Sequence, residues 1–119
     1  MKSTTLKGAL LDYMVLKAEG YAPHKGGPYW VKDGMPVVKL SEWQPSVNWA
    51  QGGPIIEREN IELLRFQGTR SDGTLGSVWY AGRDLRRPSA DTPLIAAMRA
   101  YVAAKFGEEL SSDEFDVQG

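Results

Sequence analysis

The sequence predicts a small α+β fold in which two main helices pack on one face of a small antiparallel sheet. Segments with helical periodicity lie near both ends of the chain, and two Asp-Gly pairs between apolar segments predict β-hairpins. The length of 119 residues, 42% of them apolar, suits one globular domain. The predicted order is helix, hairpin, short helix, hairpin, helix. Residues 1–110 form the predicted domain, and residues 111–119 form a predicted disordered acidic tail.

The first helix is predicted over residues 5–19. Thr4 or Thr5 can cap its start, and Gly20 lies just beyond its end. The residues that share one side at helical spacing are apolar: Leu6, Leu10, Tyr13, Met14 and Ala18. Asp12 interrupts this apolar stretch, which indicates a helix with one solvent-exposed side rather than a signal peptide.

Both hairpins are predicted from their turns. In the first hairpin, residues 29–32 and 35–40 flank the pair Asp33-Gly34. Asp-Gly is a strong signal for a two-residue turn, because both positions tolerate positive φ angles. In the second hairpin, strands at residues 61–67 and 77–82 flank a longer polar turn that contains another Asp-Gly pair.

A short helix is predicted to begin near residue 47, but Gly52, Gly53 and Pro54 lie inside it. Two glycines followed by a proline should interrupt a helix, so a second short helix is predicted over residues 54–60. A positive φ angle at either glycine would make this segment a backbone elbow with free amide groups.

The final helix, over residues 92–106, has the clearest signals. Thr92 is the predicted cap, Pro93 occupies the first helical position, and Gly107 ends the helix. Its apolar stripe consists of Ile95, Met98, Val102 and Phe106.

The amino-acid composition excludes several kinds of chemistry. The chain has no cysteine and one histidine, so disulfides, thiolate zinc sites, iron–sulfur clusters and multi-histidine metal sites are excluded. His24 has no recognisable carboxylate partner, and Glu57 and Glu59 are too closely spaced to share a helix face. No phosphate-binding loop, dinucleotide fingerprint or nucleophile elbow is present. The sequence therefore favours a non-catalytic protein with no metal and no cofactor.

The charge distribution is uneven. Residues 108–119 carry five acidic and no basic residues, so the rest of the chain carries 14 basic against 10 acidic residues. This excess is too small to indicate nucleic-acid binding by itself. Neither a signal peptide nor an apolar run long enough to cross a membrane is visible, which predicts a cytoplasmic protein without a membrane partner.

Three segments resemble the small phage NinX-type proteins, a family of unknown function. The most specific is residues 43–61, where a Gly-Gly-Pro-Ile-Ile core lies near two tryptophans. Residues 92–107 resemble the C-terminal helix of the family, and residues 6–20 resemble its first helix. The resemblance implies a phage or prophage accessory gene near recombination and late-control genes, acting in a bacterial host. It implies no reaction, ligand or catalytic residue.

The favoured functional hypothesis is a binding module for a host or phage protein or a small ligand. Free amides and indole rings can together line a small pocket. The candidate residues are Trp43, Trp49, Gly52, Gly53 and Pro54. The alternative interpretation is that the glycines turn the chain and the tryptophans fill the core.

The second hypothesis is a nucleic-acid-binding accessory protein that uses an arginine-rich loop over residues 83–87. Arginine binds phosphates, and a neighbouring indole can stack on bases of a single strand. The candidate residues are Arg65, Arg70, Trp79, Arg83, Arg86 and Arg87. The alternative interpretation is an ordinary solvated loop of a nearly neutral protein.

Overall fold

A computed structural model describes residues 1–82 and 88–111 of the chain. These residues form three α-helices and two small antiparallel sheets of three strands each, which confirms the α+β fold. The helices are α1 (Gly8–Ala18), α2 (Trp49–Arg58) and α3 (Pro93–Phe106). The first sheet consists of β1 (Ala22–Pro23), β2 (Tyr29–Val31) and β3 (Val38–Lys39). The second consists of β4 (Leu63–Thr69), β5 (Leu75–Ala81) and β6 (Ser89–Ala90).

The strands divide between two sheets, whereas the sequence led us to expect one. In the first sheet β2 pairs with β3, and also with β1, a strand that the sequence analysis missed. Residues 32–37 connect β2 to β3, so this connection is longer than the predicted two-residue turn.

The second sheet is built on the hairpin that the sequence predicts, with β4 and β5 paired from Leu63↔Ala81 to Thr69↔Leu75. Gly73 has a φ angle of +87° in the turn, and the Asp72 carboxylate accepts a hydrogen bond from the Thr74 backbone at 3.0 Å. This local Asp-Gly chemistry explains why the hairpin is readable from the sequence. β6 was not predicted.

α1 is the central helix of the core and has no solvent-exposed side over most of its length. Residues 11–16 are all buried, Asp12 among them, so the prediction that this helix has one solvent-exposed side is wrong. The helix also begins later than predicted. A separate 3₁₀ turn at Ser3–Thr5 precedes it, and Gly8 has a φ angle of +60°, which prevents a regular helix from extending back to Thr5.

α2 continues through the Gly-Gly-Pro sequence, so the predicted interruption is wrong. Neither Gly52 nor Gly53 has a positive φ angle, and no backbone elbow forms. The Asn48 side chain caps the helix by accepting from the Ala50 backbone at 2.9 Å. Pro54 lacks one helical N–H, but packing of Gly52 and Ile55 against the rest of the molecule holds the helix together.

α3 agrees with the prediction at both ends. The Thr92 hydroxyl accepts a hydrogen bond from the Ile95 backbone at 3.2 Å, and Gly107 ends the helix with a φ angle of +86°. The helix packs against α1 and β5, and its buried face differs in part from the predicted stripe. Met98 and Val102 are buried, whereas Ile95 and Phe106 are only half-buried. Beyond it, the chain pairs with the N-terminus, where the Ser3 backbone donates to Glu108 at 2.7 Å.

A polar cluster joins the three helices. The Arg58 guanidinium donates two hydrogen bonds to the Glu19 carboxylate, at 3.1 and 2.5 Å, and the Tyr101 hydroxyl donates to the same carboxylate at 2.5 Å. Burial alone would raise the pKa of Glu19, but the hydrogen bonds from Arg58 and Tyr101 outweigh it and lower that pKa.

Candidate ligand-binding site

A cavity of about 500 Å³ lies between the start of α1 and the segment that leads into α2. We call it the Trp43 cavity. Its size falls within the range of small-molecule sites, and its lining is mainly apolar. Its lining residues are Gly8, Ala9, Asp12, Pro28, Leu40, Ser41, Trp43, Gln44, Ser46 and Val47.

Asp12 is the only titratable side chain among these lining residues. It is 5% exposed, and one carboxylate oxygen accepts a hydrogen bond from the Ser46 backbone at 2.9 Å. Burial raises the pKa of Asp12, and hydrogen bonds from the backbone and side chain of Ser46 offset part of this effect. A carboxylate can accept about four hydrogen bonds, so Asp12 retains capacity for a further donor.

Trp43 is fixed against α1 by its indole, whose Nε1 donates to the Asp12 backbone carbonyl at 3.0 Å. The connecting segment around it is also held to α2. The Gln44 backbone donates to the Gln51 side chain at 2.6 Å, and that side chain donates to the Glu42 carbonyl at 3.0 Å. Two helices therefore hold this wall of the cavity in place.

Gly52 in α2 lies against the segment that forms this wall, on the side away from the cavity. A β-carbon at Gly52 would overlap the Pro45 carbonyl oxygen and lie 2.7 Å from Leu94 Cδ2. Pro45 and Ser46 are both buried, so the backbone there has little room to move. The absence of a side chain at Gly52 allows α2 to approach the connecting segment closely.

The structure brings only one of the five predicted pocket residues to the Trp43 cavity. Trp43 lines it, whereas Trp49 is 55% exposed at the start of α2 and does not. Gly52, Gly53 and Pro54 lie in the helix behind the cavity wall. A ligand-binding role for Trp49 or these three residues stays a prediction.

Asp12 is the residue that the sequence analysis missed as part of the site. From the sequence alone, its charge predicts a solvent-exposed face of the helix. The signal that could have identified it is its position, since four apolar residues follow it and three precede it without a break. A carboxylate at the centre of such a stretch is either exposed or buried with a partner, and its partner here comes from Ser46, far along the chain.

The predicted nucleic-acid residues are only partly described. Arg83, Arg86 and Arg87 lie outside the described residues. Arg65 on β4 is exposed and pairs in register with Trp79 on β5, whose ring packs against the core. Arg70 is held at the hairpin tip, where its guanidinium donates to the Ser77 carbonyl at 3.0 Å. Nucleic-acid binding through this set stays a prediction.

Within residues 1–82 and 88–111, no cluster of three or more histidine, cysteine or acidic side chains suited to a metal ion occurs. No helix in that part of the chain combines the length and apolar character needed to cross a bilayer. The cytoplasmic location stays a prediction.

The sequence was compared with known proteins and protein families. Comparison with curated proteins finds no match. A family model described as bacteriophage P22 NinX matches residues 2–105, which include all three helices except the last residue of α3. The match also covers Asp12 and Trp43 and every other residue that lines the Trp43 cavity. The chain therefore belongs to the NinX family, and this membership supports a phage accessory protein.

Proposed function

We propose that this phage accessory protein is a non-catalytic binding module whose binding site is the Trp43 cavity. The observation that carries the proposal is the placement of Asp12. A carboxylate removed from water lowers stability unless hydrogen bonds compensate for it. The hydrogen bonds from Ser46 compensate part of this cost and fix the carboxylate in an apolar lining, and its remaining acceptor capacity supports a role in recognition.

The lining defines the chemistry of the occupant. An apolar group would contact Leu40, Trp43 and Val47, and a hydrogen-bond donor on that group would reach the Asp12 carboxylate. A primary amine suits this pattern best, since its charge complements an ionised carboxylate. Either a side chain of a host or phage protein or a small ligand can supply such a group.

The lining also explains why binding is proposed rather than catalysis. Asp12 has no second acid or base beside it in the cavity, and the described lining offers no histidine, lysine or second carboxylate. General acid–base chemistry usually requires a second group that positions the substrate or exchanges its proton. One carboxylate among apolar side chains is instead typical of a site that selects a ligand.

The proposal can be tested by NMR titration of the ¹⁵N-labelled chain with three matched probes: benzylamine, benzyl alcohol and benzoate. We expect the backbone signals of residues 40–47 to shift with benzylamine, less with benzyl alcohol and least with benzoate. The order follows from the charge of Asp12, which attracts an ammonium group and repels a carboxylate.

Matched tryptophan variants provide the control. Trp43→Ala should weaken benzylamine binding, whereas Trp49→Ala, at an exposed position outside the cavity, should leave it unchanged. The proposal fails if the three probes cause equal shifts, or if the shifts map to residues outside the cavity lining.

A further inference from the structure

A second cavity, of about 490 Å³, lies where the N-terminal segment, the tip of the β4–β5 hairpin and the start of α3 meet. We call it the Arg99 cavity. Among the described residues, its lining contains three cationic side chains, Lys7, Arg70 and Arg99, and one carboxylate, Asp91. Five further lining residues carry hydroxyl groups. It shares no lining residue with the Trp43 cavity, and its charge favours an anionic occupant.

Among the described residues, Arg99 is partly buried and has no salt-bridge partner. Its Nε donates to the Leu6 carbonyl and its Nη1 to the Ser89 carbonyl, both at 2.7 Å. These acceptors are neutral, and Arg99 forms no salt bridge within residues 1–82 and 88–111. Burial lowers the pKa of Arg99, although the nearby Asp91 charge opposes this effect. The guanidinium is thus fixed in place while its charge stays incompletely compensated.

Arg70 is fixed in a comparable way. Its Nη1 donates to the Ser77 carbonyl at 3.0 Å, and its side chain lies over Gly76. A β-carbon at Gly76 would lie 2.8 Å from Arg70 Cδ. The Arg70 side chain can therefore occupy its observed position because residue 76 has no side chain. Two guanidinium groups held by neutral carbonyls lose little freedom when they bind an anion.

Asp91, the one carboxylate among the described lining residues, is already engaged in hydrogen bonds. It accepts hydrogen bonds from the backbone of Ser71, at 2.9 Å, and from the Ser71 hydroxyl. These hydrogen bonds lower the pKa of Asp91, so it stays ionised at neutral pH. It therefore weakens the attraction of the cavity for anions without cancelling the three positive charges.

We propose that the Arg99 cavity binds the phosphate group of a small phosphomonoester, held by Arg70 and Arg99. Guanidinium forks match the oxygen spacing of phosphate. The cavity is larger than a phosphate ion, and Val78 and Ile95 in its lining can contact the organic part of the ligand. A free nucleotide and the 5′-terminal phosphate of a nucleic-acid strand both supply this chemistry.

The test is a calorimetric titration of the whole chain at low salt. Inorganic phosphate and adenosine monophosphate should bind, and adenosine should not, because it lacks the phosphate. A 5′-phosphorylated oligothymidylate and its unphosphorylated counterpart distinguish the two sources. Tighter binding of the phosphorylated strand than of adenosine monophosphate identifies a strand end, and the reverse identifies a free nucleotide. Either result supports the phosphate site.

Variants of residues outside the hydrophobic core test whether the ligand binds in the Arg99 cavity. Arg70→Ala should weaken binding of adenosine monophosphate about tenfold, since a charge-assisted hydrogen bond is lost. Gly76→Ala should also weaken it, because the new methyl group displaces the Arg70 side chain. Asp91→Asn should strengthen binding about threefold, because it removes the opposing charge. Arg65→Ala is the matched control, since this exposed arginine on β4 lies outside the cavity.

The proposal is overturned if adenosine binds as tightly as adenosine monophosphate, or if neither phosphate nor adenosine monophosphate binds at about 10 mM. It is also overturned if Arg70→Ala and Arg65→Ala give the same affinity. Equal binding of the two oligothymidylates would contradict it as well, because internal backbone phosphates would then be the ligand.

Discussion

Alanine should have opposite effects at the two adjacent glycines of α2. At Gly52 the new β-carbon would overlap the Pro45 carbonyl oxygen and lie 2.7 Å from Leu94 Cδ2. At Gly53 the nearest atom would be Trp49 Cε3 at 3.8 Å, an ordinary van der Waals contact. Gly52→Ala should therefore destabilise the protein, and Gly53→Ala should stabilise it.

The magnitudes follow from two opposing effects. Replacing glycine by alanine inside a helix stabilises it by about 0.5–1 kcal/mol, and this gain should appear in full for Gly53→Ala. Overpacking a buried site costs about 1–3 kcal/mol. Because Pro45 cannot move away easily, we expect a net loss of about 1–2 kcal/mol for Gly52→Ala, the overpacking cost less the helical gain.

Urea unfolding followed by far-ultraviolet circular dichroism measures both values on one scale. The denaturant slope should be the same for the wild type and both variants, so that shifts of the midpoint report stability alone. If Gly52→Ala is as stable as the wild type, or if both variants shift in the same direction, the close packing at Gly52 does not hold α2 in place.

Three further outcomes are expected. Asp12→Asn should raise the melting temperature at neutral pH by about 3–6 °C, as measured by calorimetry. This gain should shrink as the pH falls towards 3.8, the ordinary pKa of the carboxyl. Burial raises the pKa of Asp12 in the folded state, so the folded wild type takes up a proton as the pH falls and loses the cost of the buried charge. Glu19→Gln should lower the free energy of unfolding by about 1 kcal/mol at neutral pH, as measured by urea titration. This difference from the wild type should decrease as the pH falls below 4.5, because the lowered pKa of Glu19 stabilises the folded state fully only above the ordinary pKa of the carboxyl. Trp43→Phe should cost about 1 kcal/mol through its lost indole hydrogen bond, whereas Trp49→Phe should be neutral by the same assay.

Local chemistry made part of the fold predictable. The Thr92 cap, the proline that follows it and Gly107 set the ends of α3, and each acts on residues within a turn of itself. Asp72 and Gly73 set the β4–β5 turn in the same way. In these cases the residues that determine the structure are neighbours in the sequence.

The rest depended on contacts between distant segments. Whether Asp12 faces water or the interior is decided by Ser46, which lies 34 residues further on. Gly52 in α2 packs closely against Pro45 and Leu94, and no helical pattern in the sequence contains that information. For the same reason Trp43 was predicted as a site residue, but its partner Asp12 was not.

The affinity of benzylamine for the wild type and for Asp12→Asn measures the contribution of the buried carboxylate to binding. Asparagine keeps an oxygen that can accept from Ser46, so the wall of the cavity should stay in place while the charge is removed. We expect the dissociation constant, measured by NMR titration, to rise about tenfold in Asp12→Asn. Equal affinities for the two proteins would contradict the assignment of the Trp43 cavity as the binding site.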